Sequence, residues 1–93
     1  SDGYYPRWSK ADGVDYTVLG STLNIRNAPE LTGLIIGQRR HGDVVRVHCY
    51  YEVAPDGDVW ASEEECTPAP QTWSALLVGG VEYLRLVPGP LGR

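Results

Sequence analysis

Hydrophobic and polar positions alternate most cleanly from Val44 to Glu52. Val45, Val47, Cys49 and Tyr51 fall on one side, and Arg46, His48, Tyr50 and Glu52 on the other. A period of two predicts a half-buried strand. Upstream, Leu23 and Ile25 alternate with Asn24 and Arg26, which predicts another. Ala28-Pro29 opens a loop that ends near Thr32-Gly33. Leu34-Ile35-Ile36 is short, apolar and β-branched, a strand that Gly37 breaks or bulges. His41-Gly42-Asp43 is a turn.

Downstream, Ala54 to Asp58 reads as a turn and Val59-Trp60-Ala61 as a short strand or loop anchor. Ser62 to Gln71 is acidic, then proline-rich, and makes 54–71 a long inserted loop. Thr72 to Val78 is the next strand. Gly79-Gly80 between apolar runs is a hairpin signal, and Val81 to Val87 closes the sheet. Residues 1–15 show no period and read either as a flexible lead-in or, the favoured reading, as an arm that partly docks Tyr4, Tyr5 and Trp8 on a domain at 16–87. Residues 88–93, rich in Pro and Gly, read as a disordered tail. No segment keeps the 3.6-residue period of a long helix. The expectation is an all-β fold, a small half-open barrel of about five to seven strands.

Composition narrows the function. Ninety-three residues make one small domain with a limited core. Without Phe or Met, that core must come from Leu, Ile, Val, Trp and Tyr. The net charge of −4 argues against nucleic acid or an anionic membrane surface as partner. No apolar run approaches the roughly 18 residues of a membrane span. A chain starting at Ser1 is expected to be a mature form or an excised piece. The two cysteines, Cys49 and Cys66, are read as a disulfide stapling a small core. Free thiols and a metal site are the alternatives. A bridge would place the protein outside the cytoplasm.

The leading segments resemble the bacterial SH3 (SH3b) family. The residues that carry the likeness are Leu23-Asn24-Ile25-Arg26-Asn27-Ala28-Pro29, Ile36-Gly37 with Gly42-Asp43-Val44-Val45-Arg46-Val47, Trp73, and Gly80-Val81-Glu82-Tyr83-Leu84. They are similar to that family's "LNVRSGP", "VIG…KGTKVTV", "W" and "G-W/Y-V…YL" elements. The chain departs from it in the long 54–71 loop and in Gly80-Val81-Glu82 where Gly-Trp-Val is usual. A cysteine ending the central strand is similar to actinobacterial members. The resemblance implies a half-open SH3-like barrel and a secreted or wall-associated binding module. The hallmarks of proline-rich peptide recognition are missing, so that mode is not implied.

No enzyme chemistry is expected. His48 and Cys49 are adjacent, and strand alternation sends them to opposite faces, which precludes a thiol–imidazole dyad. Asp56, Asp58 and Glu63 to Glu65 read as a solvated acidic face rather than a facing carboxylate pair. His41, His48 and the cysteines lack zinc-site spacing, Asp56-Gly57-Asp58 lacks a calcium loop, and Gly79-Gly80 lacks a phosphate loop's Lys. No cofactor is expected.

In a barrel this small side chains fill the interior, so a ligand must use an outer groove. The candidates are Asn24 and Arg26 on the first strand's outer side, Glu30 and Thr32 in the following loop, Tyr50 on the outer face of the central strand, and Trp60 beside the acidic loop. A mobile wall is expected from Asn27 to Gly33. Each has a plainer reading: Arg26 as a solvated group, Trp60 and Trp73 as core, and Tyr50 as a ring covered by the N-terminal arm. The partner is expected to be bacterial cell-wall peptide or a peptide-like ligand, its amines suited to an acidic surface. A structural contact with another protein or domain is the alternative.

Overall fold

The computed structural model describes residues 5–88. It is all-β, with strands β1 (Arg7–Val18), β2 (Thr22–Arg26), β3 (Ile35–Arg40), β4 (Val44–Glu52), β5 (Val59–Ser62), β6 (Ser74–Val78), β7 (Val81–Glu82) and β8 (Leu84–Leu86). Six strands form one sheet in the order β7-β6-β5-β4-β1-β8, and β2 and β3 form a separate hairpin. The result is the expected small SH3-like barrel.

The six-stranded sheet curls until its two edges nearly meet, and Tyr83 makes the join. β7 pairs with β6 at one edge and β8 pairs with β1 at the other. Between them the Tyr83 amide donates to the Leu76 carbonyl, and its own carbonyl accepts from Leu19 N–H. The 81–87 segment read as one closing strand is therefore two short strands serving opposite edges. Gly79 and Gly80, at φ +61° and +78°, make the tight hairpin expected between β6 and β7.

The first strand overturns the reading of residues 1–15 as an arm. From Arg7 onward they belong to β1, which lies between β4 and β8 inside the sheet. Its period is hidden by a bulge. Lys10 pairs with Cys49 and Val14 with Val47, leaving Ala11-Asp12-Gly13 opposite His48 alone. The insertion resets the alternation, and Gly13 takes φ +74° there. Trp8 does dock. Although 45% exposed, it sets its ring edgewise at 5.7 Å from Trp73 and 6.3 Å from Tyr51. Tyr5 is half-buried, with the Arg7 guanidinium 4.8 Å from its ring centre. Tyr4 and most of the tail read at 88–93 lie outside the described residues.

β4 behaves as its alternation predicts: Val45, Val47 and Cys49 are buried, Arg46 is exposed and His48 is intermediate. Arg46 pairs with Asp15 across the β1–β4 ladder at 2.9 Å. That hydrogen bond holds the Asp15 carboxyl below its ordinary range. Two apolar clusters fill the interior. Val18, Val45, Val47, Ala61 and Leu84 centre one, and Cys49, Trp60, Trp73 and Val78 the other. β5 feeds both, Ala61 into the first and Trp60 into the second. Each fully buried Val or Leu contributes roughly 1.5–3 kcal/mol by leaving water.

Cys49 and Cys66 are joined in a disulfide. The bridge ties the acidic loop after β5 to the middle of β4. Gly37 does not end its strand. β3 runs through it, and the register slips beside it, with Ile25 opposite Gly37 and Arg26 opposite Ile35. Ile36 is the extra residue.

Candidate functional site

The β2–β3 hairpin folds over one end of the barrel. Its anchor is a two-residue bridge in which Arg26 and Trp73 exchange backbone hydrogen bonds at 2.7 Å in both directions. The hairpin's connecting loop then stands opposite the β4–β5 turn, and a groove runs between them.

The groove has two hollows. One, of about 140 Å³, is lined by Thr22, Asn24, Arg26, Leu31, Trp60 and Tyr83, among others. The second, of about 300 Å³, is lined by Glu30, Leu31, Tyr51, Val53, Asp58 and Trp60, among others. Leu31 and Trp60 belong to both. Trp60 is 2% exposed, so it contributes only a sliver of ring to the groove, while Leu31 is 62% exposed and stands over it.

The hairpin loop is built rather than loose. Asn27 N–H donates to the Leu34 carbonyl, and Leu34 N–H donates back to Asn27 Oδ1. Glu30 N–H donates to Ala28 O, and Gly33 N–H to Glu30 O. The Arg26 guanidinium closes the loop from below, donating from Nη1 to Gly33 O at 2.9 Å. Gly33 is required by space. A Cβ there would lie 2.9 Å from Ala28 O and 3.1 Å from Glu30 O, both backbone atoms, so the loop itself would have to shift. The expected mobile wall is therefore corrected to a hydrogen-bonded lip.

Asn24, Arg26, Glu30 and Trp60 come together along this groove, and Tyr50 does not. The outward, exposed Tyr50 expected from alternation is half-buried against the first cluster. Its hydroxyl lies 2.7 Å from that of Tyr16, and the two rings meet edge to face with centres 6.3 Å apart. Burial, then the Tyr16 hydrogen bond, raises its pKa well above the ordinary value. Its cover is β1 acting through Tyr16, not Trp8. The neighbouring Tyr51, read as core from its inward side of β4, does line the groove. Leu31, Tyr83 and Val53 were missed, because only the folded hairpin brings them opposite Trp60.

The acidic loop is less solvated than its composition implies. Glu63 pairs with Arg39 of the hairpin at 2.6 Å. Glu64 Oε2 accepts from Thr72 Oγ1 at 2.6 Å and from Gln71 N–H at 3.0 Å. The Thr72 hydroxyl is the main reason its carboxyl lies below the ordinary range. His48 Nδ1 donates to Glu63 O at 3.1 Å, with Glu65 4.0 Å from its other nitrogen. None of these groups faces the groove. From Val47 to Leu84 the chain carries no Lys or Arg, while Glu52, Asp56, Asp58, Glu63 to Glu65 and Glu82 are acidic. Among the described residues no three His, Cys, Asp or Glu side chains converge as a metal site.

The chain matches no protein-family model, and no curated protein or solved structure matches it.

Proposed function

We propose that this domain is a non-catalytic, extracytoplasmic binding module that holds cell-wall peptide or another peptide-like ligand in the groove between the β2–β3 hairpin and the β4–β5 turn. One observation carries the reading. A hydrogen-bonded lip and a buried tryptophan define two connected hollows, and Asn24, Arg26, Glu30 and Trp60 all border them. The larger hollow reaches the low end of the roughly 300–1,000 Å³ common for small-ligand sites. The apolar walls supply contact area, and the charged rims supply orientation.

Two further features support it. Both thiols are consumed in the disulfide, which leaves no cysteine nucleophile and suits an oxidising compartment. The SH3b resemblance of the 23–29 and 42–47 segments supports a wall-associated role, with the hairpin as the part that meets the ligand.

The test is sedimentation with purified, protein-free peptidoglycan, read beside amide chemical-shift changes on adding soluble muropeptides. The proposal expects co-sedimentation and shifts concentrated at Leu31, Tyr51, Trp60 and Tyr83. No co-sedimentation and no shifts would overturn it. The alternative, a contact domain for another protein, is favoured by Leu34, Ile35 and Ile36. These neighbours at the hairpin tip are 66%, 48% and 50% exposed, and an apolar cluster of that kind commonly meets a partner.

A further inference from the structure

The two hollows differ in charge, and the difference falls on either side of the Leu31–Trp60 divide. The smaller one is rimmed by hydrogen-bond donors. Arg26 spends one N–H on Gly33 O and keeps the rest of the five a guanidinium offers. Asn24 Oδ1 accepts from Gln38 Nε2 at 2.9 Å, which leaves the Asn24 amide N–H groups unspent. Thr22 adds a hydroxyl. The larger hollow is rimmed by acceptors. Among the described residues the Glu30 carboxylate makes no hydrogen bond or ion pair. Asp58 accepts from Gly79 N–H through Oδ1 at 2.9 Å, leaving Oδ2.

From this we infer that the groove selects a dipolar ligand and fixes its direction. A free peptide carboxylate lies on the Arg26 side, a primary amine lies on the Glu30–Asp58 side, and a short apolar stretch crosses Leu31 and Trp60. The inference rests on the groove being the binding site and adds the ligand class. The chemistry is specific. A carboxylate on Arg26 can be held by two parallel N–H···O bonds, and an ammonium between two carboxylates satisfies its donors without a metal. Reversal of the ligand would set carboxylate against Glu30 and ammonium against Arg26, a like-charge clash at both ends. A neutral or purely cationic peptide would satisfy only one half. The ligand class is thus a short peptide with a free C-terminus and a lysine-like side-chain amine.

The probes are N-acetyl-Lys-Ala-Ala, its C-terminal amide, and its Nε-acetylated form. Each is titrated into the 93-residue chain while the Trp60 indole N–H resonance is followed. The parent peptide should bind at least tenfold more tightly than either blocked peptide. Arg26→Gln removes the guanidinium charge while keeping a polar side chain. It should abolish the preference for acid over amide and leave the preference for free over acetylated amine. Glu30→Gln should do the converse. Because each variant is scored by the ratio between two peptides, a general loosening of the lip would change both affinities and leave the ratio. If the three peptides bind equally, the dipolar assignment fails and the groove as a peptide site survives. If none perturbs Trp60, both fail.

Discussion

The hydroxyls of Tyr16 and Tyr50 lie 2.7 Å apart across the β1–β4 region of the barrel. Tyr50 was the most attractive exposed aromatic in the sequence, and this pairing makes it a structural residue. Its ring packs against the first apolar cluster, and its hydroxyl is satisfied within the chain.

Tyr50 therefore predicts an alkaline limit to stability. Its pKa is raised in the folded state, first by burial and then by the Tyr16 hydrogen bond. A raised value means the folded state holds the proton more tightly. Stability is fully present below the ordinary value of 10.0 and falls as pH rises above it, while the unfolded chain ionises first. Urea midpoints should drop between about pH 10 and pH 11 in the wild type, at the ionisation range of tyrosine. Tyr50→Phe should flatten that drop and cost about 1 kcal/mol at neutral pH, the usual net worth of one hydrogen bond. An equal drop in the variant would show that another group sets the limit.

The Cys49–Cys66 bridge closes a loop with a sequence separation of 17. A crosslink of that span removes roughly 3 kcal/mol of chain entropy from the unfolded state. Replacing both cysteines by Ala should lower unfolding free energy by about that amount, read from denaturant curves. Loss should be accompanied by protease sensitivity in 63–72. Intact mass of the untreated protein should be 2 Da below the reduced form, the mass of two hydrogens. Two readily alkylated thiols without reductant would contradict the bridge.

Glu64 latches that same loop a second time, accepting from Gln71 N–H and Thr72 Oγ1. Its carboxyl is lowered chiefly by the Thr72 hydroxyl, with the Gln71 and Thr72 amides adding to it. A lowered value means the contribution is present above the ordinary 4.5 and is lost as pH falls through the folded value. Exchange of the Gln71 amide, which donates to Glu64, should accelerate on acidification below about pH 4.5 beyond the intrinsic pH trend. Glu64→Ala, which removes the acceptor oxygens, should show fast exchange at all pH values. Because the group is exposed, global stability should barely change.

How much of this was legible in the sequence depends on how local each signal is. The β4 alternation, the Gly79-Gly80 turn and the Leu23–Arg26 strand are carried by neighbouring residues, and all three formed where expected. β1 was not legible, because the Ala11-Asp12-Gly13 bulge shifts its pattern midway. Nor was the split at Tyr83, since only the curl of the whole sheet makes one segment serve two edges. For the groove, Asn24, Arg26, Glu30 and Trp60 could be singled out from their strand faces and loops. Leu31 could not, because its position over Trp60 depends on the hairpin folding across the barrel. Tyr50 misled because strand alternation says which way a side chain leaves its own strand. It says nothing of what a partner strand places on top.

The lip offers the sharpest separation between fold and site. Leu31 is exposed and touches both hollows, so truncating it removes groove wall without opening a cavity in the core. Leu31→Ala should leave the thermal midpoint within about 4 °C, since surface substitutions usually change stability by no more than about 0.5 kcal/mol. It should weaken a groove-bound peptide by about 1 kcal/mol, roughly fivefold. Gly33→Ala acts differently. Its new methyl would press on Ala28 O and Glu30 O, so the lip must open and release the Arg26–Gly33 hydrogen bond. Peptide affinity should fall further than in Leu31→Ala, and the Gly33-position amide, which donates to Glu30 O, should lose exchange protection. Protection at Val45, Val47 and Leu84 in the first cluster should be retained. If Gly33→Ala loosens the lip yet leaves peptide affinity unchanged, the ligand does not use this wall, and the groove's other side, at Val53 and Asp58, carries the contact.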